Sequence, residues 1–225
     1  MLGVGILLQE ECYSMEKILF KFLNQEVDIM ANQSDRSWNI LDKIIAKFRY
    51  AQVDGYVLEG SRIVDIGCGQ EGAFLIRHKD KIDCGFGFDF EINDSKIDNI
   101  TFINNSELNK FPLEENSVDT IFMNALLEHL DKPEELLLNA LEILKTNGKI
   151  VMTTPTPISK PLLEFMAFKL HIINEVEIKE HKHYYSKEDI ENLIKKLNKK
   201  YSVKLYKYKT FELKLNSLIV IEKLK

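Results

Sequence analysis

Three glycines stand within six residues of one another, directly after a short apolar run that contains an acid. The stretch is RIVDIGCGQEGAF, residues 62–74, and its glycines are Gly67, Gly69 and Gly72. Glycine permits a tight turn and the close approach of a ligand to the backbone, and the start of a following helix attracts negative charge. The spacing G-x-G-x-x-G therefore predicts a nucleotide-binding turn, with a tight turn that binds nothing as the alternative.

Acidic residues near this turn narrow the choice of nucleotide. Asp65 lies two residues before Gly67, where a dinucleotide would place its pyrophosphate and a carboxylate would repel it. The same carboxylate suits a ligand with an ammonium or sulfonium group. Asp89 ends the next apolar run, GFGFDF, where it can accept hydrogen bonds from both hydroxyls of a ribose. Glu107, in the loop after a third run, can reach the amine of an adenine. A cationic amino acid, a ribose and an adenine in this order describe S-adenosylmethionine.

On these residues the chain resembles the class I S-adenosylmethionine-dependent methyltransferases. The similar segments are VDIGCG, GFD, FPLEENSVDTI, ALLEHL and LKTNGKIVMTTP, all within residues 60–155. The most similar subgroup contains methyltransferases of quinone biosynthesis and of surface glycans. The resemblance implies a doubly wound, Rossmann-like α/β fold whose seven strands are mostly parallel and end in an antiparallel C-terminal β-hairpin. It also implies that the protein is an enzyme with S-adenosylmethionine as cofactor.

The resemblance assigns cofactor contacts by position. The residues are Asp65, Gly67, Cys68 and Gly69 at the methionine part, Asp89 at the ribose, Phe90, Glu107 and Leu108 at the adenine, and Asn124 at the methionine end. Cys68 is interpreted as a small packing residue, because no basic neighbour would activate its thiol. Two departures from the family pattern accompany these roles. Only FEINDSKIDN stands between Asp89 and the third strand, where a full helix is usual, and Glu107 stands where an aspartate is usual.

Two histidines are candidate general bases for an acceptor that must lose a proton. His129 follows the fourth strand in LLEHL, and its alternative role is to pack against the cofactor loop. His183 is the second candidate and belongs to EHKHYYSKED, where His181, His183 and Tyr184 are interpreted as a wall of the acceptor pocket. The H-x-H pair has no further ligands beside it in the sequence, so no metal is expected.

Motifs that the sequence lacks narrow the range of possible methyl acceptors. The fourth strand ends in MNALLEHL, without the Asn/Asp-Pro-Pro-aromatic turn of amino-methylating DNA enzymes. The chain also lacks a Pro-Cys nucleophile for cytosine, the paired glutamates of arginine methylation and the metal-binding acids of catechol methylation. We expect a small-molecule, sugar or lipid-linked acceptor, methylated on oxygen. Two alternatives remain open from the sequence: an NAD(P)-dependent oxidoreductase, and a catalytically silent cofactor-binding partner of another enzyme.

The elements that position these residues follow from the hydrophobic pattern. Short apolar runs alternate with helical segments and predict parallel strands at 62–66, 84–88, 100–103, 118–123 and 148–154. The clearest helix is KPEELLLNALEILKTNG, with Pro133 in its first turn and Gly148 just past its end. Farther on, Ser186 and Asp189 predict a capping box, and YSVKLYKYKT and SLIVIEKL predict a β-hairpin at one sheet edge.

Three other helical segments are predicted from their apolar spacing. Two precede the first strand, in MEKILFKFLNQEV and in SWNILDKIIAKFRYAQVDGYV, and Ser37 is a plausible N-cap of the second. The third contains Leu162, Phe165 and Leu170; it is interpreted as a core helix, with a lid over an apolar acceptor as the alternative. We expect one domain, with a helical segment at 1–58, a cofactor-binding core at 60–155 and an acceptor-pocket segment with the hairpin at 156–225.

Composition bounds the partners and the compartment. The 225 residues carry a net charge of −5, which argues against a nucleic-acid partner. Three cysteines without a C-x-x-C pattern argue against a disulfide framework and fit a cytoplasmic protein. The start, MLGVGILLQEEC, is too short to span a bilayer and lacks the basic flank of a signal peptide, so no integral membrane segment is expected. Met15 opens a better helix than Met1, and residues 1–14 are expected to pack loosely.

Overall fold

A single mixed sheet dominates the computed structural model, which describes residues 40–105, 110–170 and 173–224. Its strands are β1 (Arg62–Ile66), β2 (Cys84–Asp89), β3 (Ser95–Ile97), β4 (Ile100–Asn104), β5 (Val118–Asn124), β6 (Leu144–Pro155), β7 (Val203–Phe211) and β8 (Asn216–Lys223). Their order is β3-β4-β2-β1-β5-β6-β8-β7. The chain moves outward from β1 first to one side and then to the other, so ligands are expected at the carboxyl end of β1, where the order reverses.

Helices cover both faces of this sheet. They are α1 (Ile40–Val53), α2 (Ala73–His78), α3 (Pro133–Ile143), α4 (Lys160–Phe168), α5 (Glu175–Lys179) and α6 (Lys187–Leu197). Because successive strand residues point to opposite faces, Ile63 belongs to the buried cluster that contains Phe74 of α2. Its neighbour Val64 belongs to the cluster that contains Leu137 and Ile194, from α3 and α6. The doubly wound α/β prediction is confirmed.

The C-terminal predictions are also confirmed. Strand β8 runs antiparallel to both β6 and β7, so the terminal hairpin extends one edge of the sheet. The capping box at the start of α6 forms as expected. The backbone N–H of Asp189 donates to the Ser186 hydroxyl at 3.2 Å, and the backbone N–H of Ser186 donates to the Asp189 carboxylate at 2.9 Å.

The predicted end of the helix before β6 is wrong. Helix α3 stops at Ile143, and the fully buried Leu144 already pairs with Val118 of β5. The Lys223 ammonium donates to the carbonyls of Leu141 and Leu144, both at 2.7 Å. A cation at a helix C-terminus satisfies carbonyls that have no intrahelical partner. This lysine comes from β8, so its effect on α3 had no local signal in the sequence.

Two other expectations need correction. Seven strands were expected, but the sheet of the described residues has eight. The additional strand is Ser95–Ile97 of the short FEINDSKIDN segment, which pairs antiparallel with β4 at the sheet edge. The core interpretation of α4 is wrong, since Ala167 alone among its residues is buried. Leu162 and Phe165 are 41% and 51% exposed. The alternative of a lid stays a prediction.

Residues before Ile40 lie outside the described part of the chain. Three predictions concern these residues: the helix in MEKILFKFLNQEV, the N-cap Ser37 and the loose packing of residues 1–14. The second predicted helix is present from Ile40 as α1. Among the described helices, none combines the length and the hydrophobicity that crossing a bilayer requires.

Candidate active site

The glycine turn is fastened to the end of β2. The backbone N–H of Gly67 donates to the carbonyl of Phe88 at 2.8 Å, and that of Gly69 donates to Oδ2 of Asp89 at 2.8 Å. Gly67 and Gly69 have φ angles of 75° and 70°, in the left-handed region that glycine adopts without strain. The turn therefore brings the backbone after β1 against the acid that ends β2.

Asp65 is a buried carboxylate at the end of β1. It is 2% exposed, and its Oδ1 accepts no hydrogen bond within the described residues. Burial, and then the charge of Asp89, raises the pKa of Asp65 well above its usual range. A charged carboxylate is unfavourable in such surroundings unless a partner compensates it. A ligand that carries a positive group would stabilise the site.

Asp89 and Phe90 form the end of the neighbouring strand. The two carboxylate oxygens of Asp89 accept hydrogen bonds from the backbone N–H groups of Gly69 and Glu91, at 2.8 and 2.9 Å. Each oxygen has a second lone pair and can accept another bond. Phe90 is 61% exposed. In such an arrangement the acid can accept hydrogen bonds from the hydroxyls of a sugar, and the aromatic ring can stack on a planar base.

Arg49 and Glu212 interact electrostatically with each other, and sequence reasoning identified neither as a site residue. The Arg49 Nε is buried and has no hydrogen-bond partner in the described part of the chain. Burial raises the pKa of Glu212, and the charge of Arg49 opposes that shift. Arg49 also acts electrostatically on His129 and His181. A lone arginine in an amphipathic helix is typical of a solvated surface, so its position gave no signal.

Two of the predicted histidines meet, although they are far apart in the sequence. His129 ends the 3-10 turn Leu127–His129 after β5, and its ring centroid lies 4.8 Å from that of His181. Nδ1 of His181 is 3.1 Å from the Tyr184 hydroxyl. Burial lowers the pKa of His129, and burial with the charges of His129 and Arg49 lowers the pKa of His181 to about 4. Both rings are therefore neutral near pH 7.

His183 does not join this pair. Its ring packs against Tyr185 with 4.5 Å between centroids, and its Nε2 lies 3.7 Å from the Asp189 carboxylate. The side chain is 51% exposed. Residues two apart share a face only in a regular strand. Residues 181–186 form no strand, so His181 and His183 can point in different directions. The structure thus groups Tyr184 with His181 and separates His183.

A sequence profile described as a methyltransferase domain matches residues 32–201, more than half of the chain. The chain belongs to the class I methyltransferases. Its cofactor is S-adenosylmethionine, and the alternative of an NAD(P)-dependent oxidoreductase is set aside. No curated protein matches the sequence.

Solved structures support the fold of the methyltransferase. A chain from the complex between the Haloferax volcanii Trm112 methyltransferase activator and a methyltransferase is 16% identical, with a TM-score of 0.60 over 85% of this chain and 100% of that one. A Mesorhizobium loti S-adenosylmethionine-dependent methyltransferase is 16% identical, with a TM-score of 0.55 over 74% and 92%. One from Aquifex aeolicus is 15% identical, with a TM-score of 0.53 over 89% and 98%. At these identities the likeness concerns the fold alone.

The edge of this methyltransferase offers polar atoms that fit its cofactor. Oδ1 of Asp65, Nδ2 of Asn124 and Nε of Arg49 are buried, and none of them has a hydrogen-bond partner within the described ranges. One acceptor and two donors match the ammonium and the carboxylate of an amino acid. Burial raises the pKa of the Cys68 thiol, which agrees with a packing role. Glu107 and Leu108 lie outside the described residues.

Proposed function

We propose that the protein transfers the methyl group of S-adenosylmethionine to a hydroxyl oxygen of a small-molecule, sugar or lipid-linked acceptor. The observation that carries this proposal is the contact between two partly buried imidazoles, His129 just after β5 and His181, whose ring centroids lie 4.8 Å apart. Burial lowers the pKa of both rings and favours their neutral form. A neutral imidazole can assist the loss of a proton from a hydroxyl. The finer assignment to quinone-biosynthesis or surface-glycan enzymes rests on the motif resemblance.

The bound cofactor supplies a methyl group on a positively charged sulfur, so the protein contributes mainly alignment and exclusion of water. We assign Asp65 to the cofactor ammonium, because its buried carboxylate lacks a partner among the described residues. Arg49 would bind the cofactor carboxylate through its buried, unsatisfied Nε, since a guanidinium matches a carboxylate in geometry and charge.

Other cofactor contacts remain as the sequence predicts them. Gly67, Cys68 and Gly69 would line the methionine part, with Asn124 at its end. Asp89 would hold the ribose, and Phe90 would stack beside the adenine. For Glu107 and Leu108 at the adenine edge, the support is the motif order alone.

The acceptor would enter between the histidine pair and α4. Lys160, at the start of α4, lies over the Tyr184 ring at 5.8 Å from its centroid, and the charge of Glu164 acts on the same tyrosine. The exposed Leu162 and Phe165 belong to this helix. An exposed apolar face beside the pocket wall supports an acceptor with an apolar part, such as an aromatic ring or a lipid chain.

Methyl transfer to matched acceptors tests this proposal. With methyl-labelled S-adenosylmethionine, we expect label in phenolic, sugar or lipid-linked hydroxyl compounds, and none once the hydroxyl is already methylated. Matched amines should accept at least about tenfold less, because a proton-removing group helps a hydroxyl more than an already nucleophilic amine. Preferential labelling of the amines, or no labelled acceptor in a broad hydroxyl panel, would contradict oxygen methylation.

A further inference from the structure

We propose that Glu128, His129 and His181 bind a divalent transition-metal ion, most readily zinc. One potential ligand atom from each residue lies within 4.8 Å of the other two. Ligands at about 2.0–2.2 Å from a tetrahedral zinc stand roughly 3.4 Å apart. Small rotations of the three side chains would therefore close the site around an ion.

The ligand set suits such an ion. Two imidazoles and one carboxylate form the protein part of zinc sites that keep a fourth position open. Glu128 is 1% exposed, and a carboxylate in low-dielectric surroundings gains from a nearby cation. The charge and the backbone carbonyl of Glu180 favour a cation at His129, while the charges of Arg49 and Lys182 oppose it. Lys182 is itself paired with the Asp131 carboxylate, which offsets part of its charge.

A hydroxyl behind the His181 ring holds it as metal-binding histidines are usually held. Nδ1 of His181 lies 3.1 Å from the Tyr184 hydroxyl, within hydrogen-bond distance. Ligating histidines commonly engage their second nitrogen in this way, which fixes the ring and its tautomer. The His181 ring is then left with Nε2 for the ion.

The backbone fixes the two chain segments against each other. The N–H groups of Lys182 and His183 both donate to the carbonyl of Glu128, at 2.8 and 3.3 Å. The Lys182 ammonium also pairs with Asp131. His181 is thereby held beside Glu128 and His129. A preformed arrangement lowers the loss of entropy on binding.

The role of the ion rests on the proposed function. Its open position would take the acceptor hydroxyl, and coordination lowers the pKa of a bound O–H group. The proton would leave to water, and an oxygen electron pair would form the bond to the methyl carbon. The carbon–sulfur bond would break with its electron pair on sulfur, which leaves the neutral thioether. His129 would then promote proton loss as a ligand of the ion.

Cobalt titration of the chelator-treated protein tests the site without any acceptor. We expect Co²⁺ to bind with one-to-one stoichiometry, to show the intense visible absorption of four-coordinate cobalt, and to be displaced by Zn²⁺. His129→Ala and His181→Ala should each weaken Co²⁺ at least about tenfold, and Tyr184→Phe by about 10- to 100-fold. Glu128→Gln keeps the volume of this buried side chain and should also weaken binding.

His183→Ala is the matched control, because His183 faces Asp189 and lies outside the cluster; it should keep the affinity for Co²⁺. Unchanged affinity in His181→Ala, or a wild-type protein without the cobalt absorption, would overturn the proposal. Binding of S-adenosylhomocysteine is measured on the same samples. If the wild-type protein binds S-adenosylhomocysteine but not Co²⁺, the metal site alone is refuted. If the wild-type protein does not bind S-adenosylhomocysteine, the proposed function is refuted.

Discussion

Replacing His129 with alanine should lower methyl transfer to a hydroxyl acceptor by about 10²–10⁴-fold at saturating cofactor, with cofactor affinity unchanged. His129 is partly buried after β5, and its ring lies against His181. It promotes proton loss whether it takes the proton itself or holds an ion that acidifies the hydroxyl. Steady-state turnover and calorimetric binding of S-adenosylhomocysteine, measured on one preparation, separate the chemical effect from binding.

The variants His181→Ala and His183→Ala show whether His129 acts as a metal ligand or as a lone general base. If His129 and His181 share an ion, their variants should lose turnover to a similar extent. If His129 acts as a lone base, the His181 variant should lose much less. His183→Ala should change turnover little, because its exposed ring packs on Tyr185. Near-normal turnover in the His129 variant would mean that alignment alone drives transfer and would contradict the assignment of oxygen as the nucleophile.

Asp89→Ala should weaken cofactor binding by about 1–3 kcal/mol, or about 5- to 150-fold in Kd. The variant loses the expected bonds to the ribose hydroxyls. It also loses the acceptor of the Gly69 N–H, which holds the glycine turn at 2.8 Å. The fold should survive, since the neighbouring strands pair through their backbones.

Asp83→Ala is the matched control for Asp89→Ala. Asp83 is an exposed acid just before the opposite end of β2, so its removal changes the net charge equally but leaves the turn intact. Calorimetry should give the wild-type Kd for the Asp83 variant. Equal affinities in the two variants and the wild type would remove Asp89 from the cofactor site.

Much of the cofactor edge could be predicted because it is local in the sequence. Asp65 and the glycines follow one apolar strand, Asp89 ends the next, and parallel strands place such ends at one edge. The capping box at Ser186 and Asp189 is likewise encoded within four residues. Predictions of this kind need only the strand pattern and elementary turn chemistry.

Features that depend on contacts between distant segments could not be predicted. The pairing of His129 with His181 requires the backbone bonds of Lys182 and His183 to Glu128. The H-x-H spacing therefore suggested that His181 and His183 act together, whereas only His181 lies beside His129. The end of α3 depends on Lys223, which comes from the last strand. Arg49 lacks a motif of its own and becomes a candidate only through its buried, unsatisfied Nε.

Calorimetric titration of the wild-type protein with S-adenosylhomocysteine and, separately, with NAD tests the central claim most directly. The claim is that Asp65 and Asp89 shape the edge for a cationic amino acid joined to a nucleoside and disfavour a pyrophosphate. We expect one-to-one binding of the adenosyl ligand. NAD should bind at least about tenfold more weakly, because its pyrophosphate brings no positive group to the buried acid Asp65 and adds negative charge beside Asp65 and Asp89. Micromolar binding of NAD with no response to S-adenosylhomocysteine would contradict the account.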